Sequence, residues 1–198
     1  MLARGIILVI GYIFGLFQSG YFYGKLRNID IRTKGSGNVG ATNTLRVFGV
    51  KAGILILLCD FLKAFIPCFI TGLIFKENIP ERATMIMWMG LGVALGHNYP
   101  FFLKFRGGKG VASTVGLFFA LDWKIGLAMV AVFALIALTT RLVSLASIIM
   151  MLAFMVVGLM YLDFGMECNL LVIVISGMSI IRHAANIERL LRGKEKQI

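Results

Sequence analysis

Long apolar runs alternate with short polar breaks along the whole chain. Seven apolar segments can be counted, at about 5–24, 50–75, 83–103, 110–121, 123–140, 142–162 and 168–183. Because roughly 20 helical residues cross a hydrocarbon core, the fourth segment is short for a span and the fifth slightly so. No segment alternates with the period of two that a barrel strand requires. The pattern predicts an all-α, polytopic membrane protein, a seven-transmembrane-helix bundle.

The composition supports a membrane protein. The chain has 198 residues, of which 59% are hydrophobic, with a mean hydropathy of +0.91 and a net charge of +11. A water-soluble domain of this length could not bury so much apolar side chain. We expect residues 1–198 to form a single membrane domain. Cys59, Cys68 and Cys168 lack the spacing of a metal site.

The charged residues are unevenly divided between the two ends of the predicted bundle. Fifteen basic and three acidic residues fall on one side, a net of +12. Four basic and five acidic residues, Asp163 among them, leave the other side at −1. By the positive-inside rule the basic side is cytoplasmic. An odd number of spans then places the N-terminus outside and the C-terminus in the cytoplasm.

The first polar island, G-S-G-N-V-G-A-T-N at residues 35–43, contains the G-x-G-x-x-G spelling of a dinucleotide fingerprint. That motif requires a buried strand before the glycines and a soluble helix after them. The preceding K-L-R-N-I-D-I-R-T-K is too charged for a central strand. Asp60, at the distance expected of a ribose-binding acid, lies inside a predicted span. We therefore expect neither a dinucleotide nor a nucleic acid as a partner.

The same island is suited to binding an anion. Its glycines let the backbone approach a ligand and present consecutive N–H groups. A helix predicted to start at Thr42 or Asn43 would direct its positive end there, and Arg46 offers a guanidinium for phosphate. A flexible polar loop between spans is the alternative. The candidate phosphate ligands are Gly35, Ser36, Gly37, Asn38, Gly40, Thr42, Asn43 and Arg46.

The second island, G-H-N-Y-P-F-F-L-K-F-R-G-G-K-G at residues 96–110, places basic residues around a glycine pair. Its spacing is not that of a Walker loop. Ordinary positive-inside anchoring is the alternative, which we expect for Arg106, whereas Lys109 is expected to contact a ligand. His97 is the candidate acid/base residue. The further candidates are Asn98 in support and Lys104, Gly107, Gly108, Lys109 and Gly110 as phosphate ligands.

The third island, R-H-A-A-N-I-E-R-L-L-R-G-K-E, lies near the C-terminus at residues 182–195. His183 and Asn186 share a helical face and are candidate phosphate ligands. The alternative is an amphipathic tail held by anionic membrane lipid. Arg141 and Ser144 are weaker candidates of the same kind.

Other polar or small residues lie within the predicted spans. Asp60 and Lys63 are one turn apart in the second span. The pair either serves only to neutralise the two charges, or in addition orients Arg46 or the glycine loop. The small-residue pairs Gly11/Gly15, Gly20/Gly24 and Gly92/Gly96 predict close helix packing.

Taken together, the three islands resemble the three cytoplasmic motifs of the bacterial acyl-phosphate:glycerol-3-phosphate acyltransferases, the PlsY family. The likeness covers nearly the whole chain, in the same order and with the same apolar spacing. It implies transfer of a fatty acyl group from acyl phosphate to the 1-hydroxyl of glycerol-3-phosphate, which yields lysophosphatidate and inorganic phosphate. It also implies a multi-pass protein of the bacterial inner membrane whose active site faces the cytoplasm.

The residues fit that chemistry. Two phosphate-bearing substrates explain two basic, glycine-rich loops, and an activated donor requires no metal, cofactor or covalent nucleophile. We expect the first loop to hold one phosphate, and the second loop with His183 and Asn186 to hold the other, in an order that the sequence leaves open. The hydroxyl proton goes either to His97 or to an acyl-phosphate oxygen. The candidate catalytic residues are His97, Lys104, Arg46 and Ser36.

The alternative function is a small transporter or flippase for anionic lipid or phosphate, since it would also place basic loops on one face. Transporters more often carry inverted repeats and helices interrupted near the middle of the membrane. The sequence has neither feature, which favours the enzyme.

Overall fold

A computed structural model describes residues 1–161 and 165–197. Asp163 and the last residue of the predicted sixth segment lie outside the described residues. The described part of the chain is helical and contains no strand, so the all-α prediction is confirmed. Its α-helices are α1 Leu2–Gly15, α2 Ser19–Leu26, α3 Ala41–Phe48, α4 Val50–Ile74, α5 Ile79–Asn98, α6 Val111–Leu121, α7 Trp123–Thr140, α8 Val143–Tyr161, α9 Met166–Ile181 and α10 Ala184–Leu191.

Several helices are long and apolar enough to cross a membrane. Within the described residues there are four by length and composition: Leu2–Leu26, Val50–Ile74, Trp123–Thr140 and Val143–Met160. A fifth is obtained if α9 and α10, which are bent by 58°, are taken as one span. The 11 residues of α6 fall short of the roughly 20 that a span needs.

Helix α5 lies at the centre of the bundle. Of its 20 residues, 14 are buried, and α1, α4, α6 and α9 pack around it. A helix enclosed by protein does not need a lipid-facing apolar surface, which allows α5 to carry His97 and Asn98 near its end. The predicted third segment ran too far, to residue 103. The helix ends at Asn98 because Pro100 disfavours helical backbone in the residue before it.

Glycines allow α1 and α5 to pack with their backbones in contact. A Cβ atom at Gly11 or Gly15 of α1, or at Gly92 or Gly96 of α5, would collide with a backbone atom of the opposite helix. The predicted small-residue packing is confirmed for these two pairs. The buried Gln18 side chain, at the break between α1 and α2, donates to the carbonyls of Gly15 and Gly96, both at 3.1 Å.

The end of the bundle opposite the three islands is held by ion pairs. Arg4 of α1 bonds Glu81 of α5 and Glu167 of α9, and the Trp88 indole donates to Glu167 at 2.7 Å. Glu81 lies in the first turn of α5 and His97 in its last turn. The two polar clusters are therefore separated by the length of α5.

Candidate active site

The first island folds around the side chain of Asn43. This side chain is 1% exposed, and its Nδ2 donates to the carbonyls of Ile31, Lys34 and Asn38 at 3.3, 3.1 and 2.8 Å. Its Oδ1 accepts from the Ser36 N–H at 2.7 Å. The predicted ligand Asn43 therefore organises the loop, and its amide is fully occupied.

Several N–H groups of this loop are also occupied. The Gly37 N–H donates to the Lys34 carbonyl at 2.9 Å, and the Gly40 N–H donates to the Asn38 side chain at 3.1 Å. Gly35 and Gly37 have positive φ values of 60° and 74°, which glycine adopts without strain. These glycines therefore shape the loop through their backbone conformation. From the sequence, their N–H groups were expected to bind the anion.

The backbone groups of this island that are suited to an anion lie instead at the start of α3. This helix begins at Ala41, one residue before the predicted start, and no side chain caps it. The first N–H groups of an uncapped helix lack intrahelical partners and carry partial positive charge. Ala41 and Thr42 line the cleft described below, and Arg46 lies one turn further along the same helix.

The second island is held between two helices. The N–H groups of Gly107 and Gly108 donate to the carbonyls of Asn98 and His97 at 3.1 and 3.0 Å. The guanidinium of Arg182 donates to the carbonyls of Gly107 and Gly108 at 2.9 and 3.1 Å. Contrary to expectation, these two glycine N–H groups are not available to a phosphate. They anchor the loop that presents Lys109.

The third island contributes the turn between α9 and α10. His183 is 2% exposed and its Nδ1 lies 2.8 Å from the Ser179 carbonyl. The side-chain oxygen of Asn186 accepts from the Lys109 ammonium. This bond joins the second and third islands, which are 77 residues apart in the sequence.

Residues from all three islands line a single cleft, here called the main cleft. Its empty volume is about 850 Å³, open solvent included. The predicted site residues in its lining are Ser36, Asn38, Gly40, Thr42, Asn43, Arg46, Asp60, His97, Lys109, Gly110, Ser144, His183 and Asn186. Leu57, Val111, Phe133 and Val143 add an apolar wall from four different helices or helix ends. The cleft therefore joins a polar region to an apolar one.

Helix geometry makes the main cleft attractive to anions. Four helices, α3, α6, α8 and α10, begin at residues that line it or directly next to such residues. The first turn of a helix carries partial positive charge, so four helix starts at one cleft favour an anion there. Lys109, Arg46 and Arg189 add full positive charges. The arrangement fits a phosphate-bearing ligand.

A shallower second cleft, here called the side cleft, adjoins the main cleft. The two share Ser36, Asn38 and Lys109. Four cationic side chains line the side cleft: Arg32, Arg106, Lys109 and Arg182. Arg106, expected to be only a membrane anchor, is thus part of a cationic surface beside the main cleft.

Burial lowers the pKa of Lys109. Removal from water is the main cause, Glu195 opposes it, and Arg189, Arg182 and Arg46 add to it, so that the pKa of the ammonium falls to about 8. Lys109 is therefore close to its titration range near neutral pH.

Two of the candidates outside both clefts are exposed cationic residues. Lys104 and Arg141 are exposed, each in a left-handed backbone conformation with φ of 53° and 58°. Neither side chain lines the main or the side cleft. A role in phosphate binding or catalysis for these residues stays a prediction without support from the geometry.

The C-terminal tail enters the main cleft, which the sequence did not indicate. The Glu195 carboxylate accepts from Asn186 Nδ2 at 2.6 Å and from Arg189 Nε at 2.7 Å. Lys196, whose carbonyl accepts from Arg46 at 3.4 Å, also lines the cleft. The sequence offered one signal for this role of Glu195, namely an acidic residue within the basic segment that follows α10.

A buried ionic network lies beneath the main cleft. Asp60, Lys63 and His97 are 2%, 7% and 3% exposed. The Lys63 ammonium contacts Asp60 Oδ1 at 2.9 Å and His97 Nδ1 at 2.7 Å. The Asp60 and Lys63 pair therefore does more than neutralise itself, but the side chain that Lys63 contacts is His97 and not Arg46 or the glycine loop. Asn98, the other supporting candidate, is buried next to Gly110.

Comparison with known proteins identifies the family. The family model described as glycerol-3-phosphate acyltransferase matches residues 5–193. A glycerol-3-phosphate acyltransferase of Pseudothermotoga lettingae is 42% identical over 97% of this chain and 92% of its own length. Glycerol-3-phosphate acyltransferase 2 of Thermotoga maritima is 38% identical over 96% and 94%.

Solved structures agree over the whole fold. The crystal structure of PlsY, an integral membrane glycerol 3-phosphate acyltransferase, in its glycerol 3-phosphate form has a TM-score of 0.88 and 37% identity. Its lysophosphatidic acid form has a TM-score of 0.86 and 36% identity. Both comparisons cover 98% of this chain and 95% of the other. This chain is a multi-pass membrane protein and belongs to the glycerol-3-phosphate acyltransferase family.

Proposed function

We propose that this protein transfers a fatty acyl group from acyl phosphate to the 1-hydroxyl of glycerol-3-phosphate. The hydroxyl oxygen attacks the acyl carbon, the bond from that carbon to the phosphate oxygen breaks, and a new ester bond forms. The hydroxyl proton is balanced by protonation of the released phosphate. The products are lysophosphatidate and inorganic phosphate.

One observation carries this proposal: the main cleft combines a cationic region at four helix N-termini with an apolar wall. The cationic region suits the phosphates of both substrates. The apolar wall of Leu57, Val111, Phe133 and Val143 suits the acyl chain. Close positioning of two bound reactants, and stabilisation of charge on the departing phosphate, account for catalysis without a covalent intermediate.

Specific roles follow from position in the clefts. Lys109, Arg46, Ser36 and the first turn of α3 hold phosphate, supported by their convergence on the main cleft. His183, Asn186 and Ser144 complete the polar wall. The side cleft, which shares Ser36, Asn38 and Lys109 with the main cleft, accommodates the second phosphate. Membrane lipid surrounds the bundle and delivers the acyl donor.

The topology proposal extends the same picture. The chain forms one domain with seven crossings, its N-terminus outside and its C-terminus in the cytoplasm of a bacterium. The net charge of +12 on the side of the islands, against −1 on the other, supports a cytoplasmic active site in the inner membrane.

Phosphate release from purified protein in lipid tests the reaction. Acyl phosphate and glycerol-3-phosphate together should release inorganic phosphate, and omission of either should abolish the release. Movement of phosphate or lipid across the membrane without release would favour the transporter instead. Equal activity with acyl coenzyme A would contradict the proposed donor.

A further inference from the structure

The Lys63 ammonium has three hydrogen-bond acceptors around it. They are the Phe17 carbonyl at 2.7 Å, Asp60 Oδ1 at 2.9 Å and His97 Nδ1 at 2.7 Å. A protonated lysine carries three N–H donors and no acceptor, so this set satisfies it completely. The same Asp60 oxygen also accepts from the Ser19 hydroxyl at 2.8 Å.

The hydrogen bond between Lys63 and His97 can run in either direction. A charged Lys63 donates to Nδ1, which leaves the proton of a neutral imidazole on Nε2. An uncharged Lys63 amine would accept from Nδ1–H, which would leave Nε2 free to take up a proton. The carboxylate of Asp60, 2.9 Å from the nitrogen, stabilises the charged lysine and so favours the first arrangement.

The second nitrogen of His97 lies on the other side of the ring. Nε2 packs beside Gly108, where a Cβ atom would overlap the imidazole. Among the described residues it has no hydrogen-bond partner, and His97 lines the main cleft. Nε2 is therefore the atom of this ring that is left to interact with a ligand.

We infer that Lys63 and Asp60 are positioning residues that hold His97 in the neutral Nε2–H form, so that His97 donates a hydrogen bond to a substrate oxygen in the main cleft. This rests on the proposed function for the identity of the substrate. Its chemical consequence is that His97 has no free lone pair for the hydroxyl proton: Nδ1 is engaged by Lys63, and Nε2 already carries hydrogen.

Nitrogen NMR of the full-length protein in lipid measures the tautomer without an activity assay. The chain has only two histidines, so ¹⁵N-histidine labelling gives two rings, assigned with His183→Asn. At pH 7.5, His97 should show a protonated Nε2 and an unprotonated, hydrogen-bonded Nδ1. Lys63→Met should release the ring into a mixture of tautomers, whereas Lys76→Met, at an exposed position, should leave it unchanged. A wild-type ring protonated on Nδ1 overturns the inference.

Activity of His97 variants tests the role of the donor. The amide nitrogen of glutamine can occupy the position of Nε2 and donate there, but it cannot act as a base. We expect His97→Gln to stay within about 10-fold of wild-type kcat, and His97→Ala to lose about 10²–10³-fold, the effect of removing one oxyanion donor. Equal loss in both variants would identify His97 as the proton acceptor and overturn the inference.

The Lys63 variants separate positioning from a purely structural role. Lys63→Met should lower kcat by about 10²-fold with little change in KM for glycerol-3-phosphate, because a misplaced donor affects the transition state most. The double variant Lys63→Met/His97→Gln should lose much less activity than the product of the two single-variant losses. Failure of acyl phosphate as donor, with the expected NMR tautomer, would contradict the proposed function but not the tautomer.

Discussion

At the scale of single residues, the site depends on a few side chains whose surroundings change their chemistry. Lys109 is the clearest case, because it reaches the main cleft from a loop that its neighbours hold rigidly. Its pKa of about 8 lies well below the ordinary value of 10.5 for lysine. The positive charge is therefore present below about pH 8 and lost above it.

We predict a pH effect on substrate binding that comes from Lys109. As pH rises from 7 to 9.5 the lysine loses its charge, so kcat/KM for glycerol-3-phosphate should fall with a midpoint near 8 in the free enzyme. The phosphate itself is already a dianion over this range, since its second pKa is about 6. In Lys109→Arg the fall should disappear, because a guanidinium stays charged. An unchanged midpoint in that variant would assign the titration to another group.

Asn43 tests whether the first loop is organised by a side chain. Asn43→Ala removes four hydrogen bonds of the loop at once, including those to the Asn38 carbonyl and the Ser36 N–H, so we expect a loss of about 2–4 kcal/mol in the free energy of unfolding. Substrate affinity should fall as well. The control is Asn78→Ala, which removes the cap at the N-terminus of α5, far from the main cleft. It should lower the free energy of unfolding by only about 1 kcal/mol and leave KM unchanged. Thermal unfolding and steady-state kinetics measure both effects.

At the scale of helices, the close crossing of α1 and α5 positions His97. His97 lies one residue beyond Gly96, and the Gln18 side chain ties the break after α1 to the last turn of α5. Any change that separates these helices should therefore shift the imidazole relative to Lys63. A local packing defect should appear as a loss of activity.

We predict that Gly11→Ala destabilises the bundle by about 1–3 kcal/mol, the cost of overpacking, and lowers kcat. Gly5→Ala is the matched control on the same helix, because a Cβ at Gly5 has no heavy atom within 4 Å. This control should be neutral or stabilising by up to about 1 kcal/mol, since alanine favours helix. Equal effects of the two changes would show that helix propensity, not packing, is responsible.

At the scale of the whole molecule, the two ends of the helix bundle differ in their polar residues. The Arg4, Glu81 and Glu167 cluster joins α1, α5 and α9 at one end, and the main cleft lies at the other. This arrangement gives the topology proposal a direct test, because each end offers an exposed basic residue between helices: Lys76 and Arg106.

We predict opposite labelling of these two positions in right-side-out vesicles. In a background without Cys59, Cys68 and Cys168, a cysteine replacing Lys76 should react with a membrane-impermeant maleimide at once. A cysteine replacing Arg106 should react only after the membrane is opened. The reverse pattern would place the active site outside, whereas labelling of both before opening would require an even number of crossings between them.

The sequence alone determined that the protein is an all-helical membrane protein and which three segments are polar. Apolar runs of 18–25 residues have no stable alternative to helices in a membrane, because backbone groups must be hydrogen-bonded internally. The clustering of glycine, amide and basic residues in three islands likewise predicted a shared polar surface, and the three islands do line one cleft. Both conclusions depend on local composition, which is readable along the chain.

Only the tertiary structure decided which atoms of these residues are free. Hydrogen bonds within the protein occupy the side chain of Asn43 and the N–H groups of Gly107 and Gly108. Glu195, in contrast, reaches the main cleft from the C-terminal tail. The bonds that decide this often link residues far apart in sequence, such as Lys63 and His97, 34 positions apart. A hydrogen bond formed across such a distance depends on how helices cross, and a linear pattern of residue types does not encode that directly.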